Sequence, residues 1–337
     1  MKKIFNLIAS FILLAGFSAC NKDGSDKPGL PPAPVPTVNY KGLTFISSGN
    51  STVCLAKVGT PDEITLEYST DESQWNPYTL GEKISLADGT FLLFRAGEQK
   101  NLTFSKGSDS YYHFEISGPV TAQGNIMSLL DRDFSTPLST NAFFALFEGC
   151  KSLLSAPELP ATTMAQGCYF RMFAECTGLK SAPELPAEAL AYNCYGRMFK
   201  GCSALTYVPD LPATEMRIYC YNSMFANCTS LKFAPELPAT RLDMGCYHCM
   251  FEGCTSLTSA PELPATELVN NCYEFMYKDC RNLRYVIGLF TTEPSEKTTK
   301  DWLSGVAASG TFIKSKKATW DVTGAHGIPE GWKIETW

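Results

Sequence analysis

Cysteine recurs at positions 150, 176, 202, 228, 254 and 280, always 26 residues apart, and a second series at 168, 194, 220, 246 and 272 keeps the same step. Thiols at fixed spacing could be metal ligands, disulfides, nucleophiles or packing, and each use needs different company. A nucleophile needs a base to generate its thiolate, and the only histidines are His113, His248 and His326, none in a recognisable catalytic context. A zinc site would look first to Cys246, His248 and Cys249. Yet His248 fills the slot of Phe170, Gly196, Asn222 and Glu274 in the other copies, and Cys249 that of Arg171, Arg197, Ser223 and Phe275. A pair so variable reads as surface drift and not as a ligand set. If Cys168 and Cys176 share one helix, eight residues separate them by roughly 12 Å, beyond the reach of a disulfide. Equivalent cysteines on stacked helices would stand about 8–10 Å apart, also too far. Tight turns stacked at strand spacing, about 4.8 Å, would let neighbouring copies bridge. Free, buried thiols acting as small core residues are the expectation. No catalytic residue, metal ligand or cofactor is assigned, and the chain reads as a non-enzyme.

A period of this size is the mark of a solenoid. Within one copy, Leu190, Cys194, Met198 and Cys202 are spaced by four and form a single apolar stripe if that half is helical. Asn193 or Asn271 suits an N-cap. Gly149, Gly201, Asn227, Gly253 and Asp279, just before the repeating cysteine, suit a left-handed C-terminal cap, with Glu175 the misfit. The other half, such as residues 179–186 (LKSAPELP), is extended and broken by proline, so it offers few ladder hydrogen bonds. The predicted architecture is an α/β solenoid with one short strand and one or two helical turns per copy.

Residues 250–266 (MFEGCTSLTSAPELPAT) carry a resemblance to the leucine-rich repeats of the BspA-like family, found on surface lipoproteins of Bacteroides-type bacteria. The unit departs from the commoner family repeat by extra residues around APELPA and by Cys in place of Ile before Tyr. The resemblance covers about half of the chain and implies a leucine-rich repeat fold with an adhesion role. The first twenty residues, two lysines before a short apolar run ending in FSAC, have the layout of a secretory signal. They resemble a bacterial lipoprotein signal, with Phe17 where an aliphatic residue is commoner, which implies Cys20 as the lipidated residue.

The organisation that follows is a lipoprotein signal peptide over 1–19, a proline-rich tether over 20–38, a small all-β, Ig-like domain over 39–120, the leucine-rich repeat solenoid over 121–290, and a capping segment over 291–337. Short alternating runs parted by Gly, Ser, Asp and Pro point to the β-sandwich. There Trp75 and Tyr78 could stack on a sugar or simply pack, and Cys54 reads as buried. Phe143 and Phe147 stand in the Tyr and Phe slots of a half-repeat at the solenoid's start. Trp302, Trp320, Trp332 and Trp337 suit a cap over its last rung.

Two ladders could carry binding. Glu158, Glu184, Asp210, Glu236 and Glu262 repeat in register, as solvated acids or as a row for cations or basic partners. The pair after the repeating Leu runs Lys180-Ser181, Thr206-Tyr207, Lys232-Phe233, Thr258-Ser259 and Arg284-Tyr285. Lys180, Tyr207, Lys232, Phe233, Arg284 and Tyr285 are the candidate binding surface if that column faces water; the alternative is that Tyr and Phe fill the core. With 34 acidic and 28 basic side chains, net −6, the chain has no bulk attraction for nucleic acid. The expected function is that of a non-enzymatic outer-membrane lipoprotein, surface-exposed and held to the membrane by its lipid, that binds a host or matrix protein. A glycan-binding accessory of a nutrient-uptake system is the alternative.

Overall fold

The computed structural model describes residues 42–99 and 102–337. The expected signal peptide, Cys20 and the tether lie outside these residues. From Leu43 to Gln123 the β-rich runs form nine strands: β1 (Leu43–Ser47), β2 (Ser51–Val58), β3 (Leu66–Ser69), β4 (Asn76–Pro77), β5 (Ile84–Leu86), β6 (Phe91–Ala96), β7 (Ser105–Gly107), β8 (Ser110–Ser117) and β9 (Val120–Gln123). They pair into two sheets, one ordered β9-β1-β6-β3-β4 and the other β5-β2-β8-β7. Alternate side chains turn inward. Phe45 on β1 meets Phe94 of its own sheet at 6.0 Å and Phe114 of the facing sheet at 5.0 Å, edge to face.

The first sheet does not end at β9. A strand from the first repeat, β10 (Leu153–Ser155), pairs with β9 in parallel. The amides of Phe114, Val120 and Ile126 donate to the carbonyls of Leu146, Ser152 and Glu158, and Phe114 stacks on Phe147 at 5.2 Å. One apolar core therefore runs from Leu43 through the repeats to Trp332.

The repeats contain no α-helix between residues 141 and 280; among the described residues the single α-helix is the four-residue Glu296–Thr299. What the four-residue spacing produces instead is a run of β-turns. In the copy from Gly167, the amides of Phe170, Met172, Ala174 and Cys176 donate to carbonyls three residues back, at 3.0–3.2 Å. The intervening amides of Tyr169, Arg171, Phe173 and Glu175 point the other way, to the carbonyls of Cys194, Gly196, Met198 and Lys200 in the next copy, at 2.7–3.0 Å. The device that turns them is a left-handed residue every fourth position: Gly167 (φ 59°), Arg171 (φ 58°) and Glu175 (φ 61°), then Asn193 (53°), Arg197 (55°) and Gly201 (77°), and so on along the stack. A helix cannot hold such residues without breaking. The predicted helical half is thus corrected to a turn stack, and the expected caps are recurring left-handed corners. Glu175, the misfit among them, adopts the same conformation as its glycine and asparagine equivalents.

Each copy lies flat on the next, so like residues stack. The inner Tyr column, Phe143 to Tyr169 to Tyr195 to Tyr221 to Tyr247 to Tyr273, has ring centroids 5.7–6.1 Å apart and nearly parallel planes. The Phe column, from Phe147 to Phe173, Phe199, Phe225, Phe251 and Tyr277, repeats at 5.3–5.7 Å. On the opposite side the proline-rich half contributes only single parallel bridges, such as Ser181 to Tyr207 and Phe233 to Ser259. These grow into a parallel sheet at the far end: β11 (Glu262–Leu263), β12 (Tyr285–Gly288), β13 (Thr311–Lys314) and β14 (Lys333–Thr336). Trp302 stacks on Tyr273 at 6.1 Å and Trp320 on Phe290 at 5.2 Å. Trp302 and Trp332 donate their indole N–H to the carbonyls of Gly327 and Ala307. Trp337 departs from the set, at 61% exposed.

A left-handed corner and a helix interior respond oppositely to glycine. Arg197 is exposed, with φ 55°, so Arg197→Gly should leave the unfolding free energy within about 0.5 kcal/mol or raise it, whereas a helix would lose about 1 kcal/mol. Arg197→Val should destabilise, because a β-branched residue fits the left-handed region still less well than Arg. Urea unfolding of the three proteins checks both signs.

Candidate functional site

The thiols that opened the sequence reading are structural. All thirteen described cysteines are buried and unpaired. In the column that includes Cys176, Cys202, Cys228, Cys254 and Cys280, each Sγ lies 3.0–3.2 Å from the carbonyl of Phe147, Phe173, Phe199, Phe225 and Phe251 respectively, one copy back. That carbonyl already accepts the backbone amide closing its own turn, as Phe147 does from Cys150 at 3.1 Å. The S–H therefore satisfies a second lone pair in a dry interior, which a Val or Ile of similar size would leave bare. In the other column Cys168 and Cys220 pack against the Met164 and Met216 sulfurs at 3.6 and 3.7 Å, and Cys272 points its thiol at the Thr298 carbonyl at 3.8 Å.

Burial pushes the Cys150, Cys194, Cys254 and Cys272 thiols up to about 12. A thiol held protonated at neutral pH is a poor nucleophile, because the thiolate is the reactive form. Cys249 repeats the point beside the chain's best-placed histidine. Its Sγ lies 3.9 Å from His248 Nε2, and burial first, then Glu252, raises the thiol to about 12. Burial lowers the pKa of His248 against the opposing pull of Glu274. His248 Nδ1 is 2.8 Å from the Asn222 amide and Nε2 is 3.6 Å from Glu274. The pair is a neutral packing contact, and no group of three metal-ligating side chains occurs among the described residues. Cys249 is 8% exposed, and Ser223, its counterpart one copy back, is also buried. Cys249 itself therefore tucks into the core where the sequence pattern predicts surface drift, while Arg197 in the same slot is exposed and Phe275 and neighbouring His248 are half-buried.

The six candidate binding residues share the strand side of the stack. Lys180, Lys232 and Arg284 are exposed, Tyr207 and Tyr285 are half-buried, and Phe233 is 46% exposed. Residues one step further, Ala182, Val208 and Ala260, are the ones that turn into the core. The Tyr207, Phe233 and Tyr285 column thus faces outward, with Phe233 the most exposed of the three. The acidic ladder lies on the same side, with Glu158, Glu184, Asp210 and Glu236 exposed and Glu262 half-buried. Burial, then Glu236, raises the Glu262 carboxyl. One member is tied to the backbone, Asp210 Oδ1 accepting the Glu236 amide at 3.3 Å.

The turn side carries a surface that sequence reading missed. Buried Phe144 stacks on half-buried Phe170 at 5.5 Å; further along, Tyr192 meets Tyr219 at 6.5 Å, Tyr219 meets His248 at 6.4 Å, and His248 meets Phe275 at 5.8 Å. Lys278 sits 5.1 Å over the Phe275 ring. Their only signal in the sequence was aromatic enrichment at slots that otherwise vary. In the sandwich, Tyr78 is a packing residue: its hydroxyl donates to the Glu82 carbonyl at 2.7 Å and accepts the Leu55 amide at 2.9 Å. Trp75 is half-buried at a cavity mouth.

Comparison with known proteins finds no matching family model, no similar curated protein and no similar solved structure.

The raised thiols make stability depend on alkaline pH. An unfolded thiol releases its proton near pH 8.5, while the buried ones hold theirs to about pH 12. Across that window the unfolded chain binds fewer protons, so stability is complete below about pH 8.5 and falls as pH rises, by up to about 1.4 kcal/mol per unit for each thiol. Urea midpoints should be flat from about pH 6 to 8 and drop steeply above about pH 9. The Cys254→Ala variant should show a slope shallower by about one proton. A midpoint unchanged to about pH 11 would contradict the burial of these groups.

Proposed function

We propose that the chain is a non-enzymatic, lipid-anchored surface protein whose leucine-rich-repeat-like solenoid, of the BspA-like type, binds a host or matrix protein. The observation that supports this most is the strand-side column of Lys180, Tyr207, Lys232, Phe233, Arg284 and Tyr285. It sets large aromatic and cationic side chains side by side on a surface whose backbone is held by stacking. Aromatic residues and arginine are the side chains that most often supply the central energy of protein interfaces. Rigid presentation lowers the ordering cost of association. Cys20 as the lipid acceptor and the outer membrane as the location complete the reading, on the strength of the leader alone.

Retention of the full chain on a panel of immobilised matrix proteins tests it. Replacing Lys232, Phe233, Arg284 and Tyr285 together with Ala should weaken a positive interaction by at least about a hundredfold. Binding that survives the four substitutions, or absence of binding across the panel, would remove this surface from consideration.

A further inference from the structure

The sandwich holds a cavity of about 350 Å³ on the outer face of its first sheet, far in sequence from the strand-side residues of the repeats. Its floor is β6, where Leu93 and Arg95 project away from the sandwich core while Leu92, Phe94 and Ala96 point into it. Two loops wall it. In one, Asp71 Oδ1 accepts the amides of Ser73 and Gln74 at 2.9 and 2.8 Å. In the other, buried Asp131 accepts the amides of Asp133, Ser135 and Thr136 at 2.7, 3.2 and 2.6 Å. Each loop holds a cavity-lining residue in the left-handed region, Glu72 at φ 64° and Phe134 at φ 57°. A bulky aromatic takes that conformation at a cost, and the knotted loop around Asp131 keeps it there.

The polar groups are fixed as firmly. Glu67 faces Arg95 across the β3–β6 ladder and accepts from its Nε and Nη2 at 2.9 and 2.7 Å. The other Glu67 oxygen takes Arg132 Nη2 at 2.8 Å, and Arg132 Nε donates to the Ala96 carbonyl at 3.2 Å. The Arg95 guanidinium lies 3.7 Å from the Trp75 ring centroid, which orients the indole at the rim.

We infer that this cavity is a binding site for a neutral sugar residue, presented by a glycan. Two arginines, Glu67 and Glu72 cancel in charge, so the site has nothing to select a phosphate or a carboxylate. Fixed guanidinium donors beside carboxylate acceptors match vicinal hydroxyls, each of which both donates and accepts. Phe134, and the Trp75 face that Arg95 leaves uncovered, supply flat apolar walls for the C–H face of the ring. The volume is at the small end of ligand cavities, in keeping with one or two sugar rings.

The test is saturation-transfer NMR on the full chain with methyl glucoside, methyl galactoside, methyl mannoside and N-acetylglucosamine, each at millimolar concentration, with glucuronate and inorganic phosphate as charged probes. Saturable transfer from at least one neutral sugar is expected, weakened at least about tenfold by Trp75→Ala and by Arg132→Met. Both variants should keep the parent's circular dichroism spectrum and a cooperative thermal transition, with a modest drop in midpoint for the lost Arg132–Glu67 and Trp75–Arg95 contacts. The combined alanine variant of Lys232, Phe233, Arg284 and Tyr285 should bind sugar as the parent does, which separates this site from the repeat surface. Silence from all four neutral sugars, a response unmoved by both cavity variants, or a response to the charged probes alone would each overturn the assignment.

Discussion

The hydrogen bond from every second turn amide to the copy above is the interaction on which the rest of the molecule depends. Within a rung the amides alternate: Phe170 and Met172 close their own turns, while Tyr169, Arg171 and Phe173 reach the carbonyls of Cys194, Gly196 and Met198. That alternation requires a left-handed corner at every fourth residue, and non-glycine residues such as Arg171, Arg197, Ser223 and Phe275 accept it. Each costs about 1–2 kcal/mol of backbone strain. The compensation is a backbone hydrogen bond to the next copy, such as the Arg171 amide to the Gly196 carbonyl at 2.9 Å. Flat stacking then follows, and with it the nearly parallel Tyr and Phe columns and the buried thiol that satisfies a doubly used carbonyl.

The same registration sorts the side chains into columns and so decides what each side can do. Inward columns are uniform because a change in one copy would disturb its two neighbours. Outward columns are free to vary, and they hold the charge and the aromatic rings: Lys232, Phe233 and Arg284 on the strand side, Tyr192, Tyr219 and Phe275 on the turn side. The sandwich is joined to the stack through β9 and β10 and through the Phe114–Phe147 contact, so one continuous apolar core lies beneath both. Burial that pushes a thiol up to about 12, as at Cys150 or Cys254, leaves it a small apolar group with one weak donor.

Much of this was legible in the sequence. The period, the stacking, the burial of both cysteine columns and the left-handed corner before each repeating cysteine could be read from Cys150 to Cys280. The helix could not be avoided by counting apolar residues, because Leu190, Cys194, Met198 and Cys202 fit a helical stripe over this short length. A strict four-residue step drifts about 40° per turn against a 3.6-residue helix, and only a longer run would have exposed the mismatch. The informative pattern was elsewhere. Gly, Asn or Asp stands at both ends of the same nine-residue window in Asn141 and Gly149, Asn193 and Gly201, Gly245 and Gly253, and Asn271 and Asp279. These are the residues that most readily adopt positive φ, and two such positions eight apart fit successive four-residue turns. The cavity was invisible for a different reason: Glu67, Arg95 and Arg132 are brought together by strand register and a distant loop, and no local spacing encodes that.

Far-UV circular dichroism of the full chain tests the central claim most directly. A turn stack joined by alternate amides predicts a spectrum without the paired helical minima, since the described residues hold a single four-residue α-helix. Strong helical minima, corresponding to one or two helical turns in each repeat, would contradict the turn stack and restore the helical half.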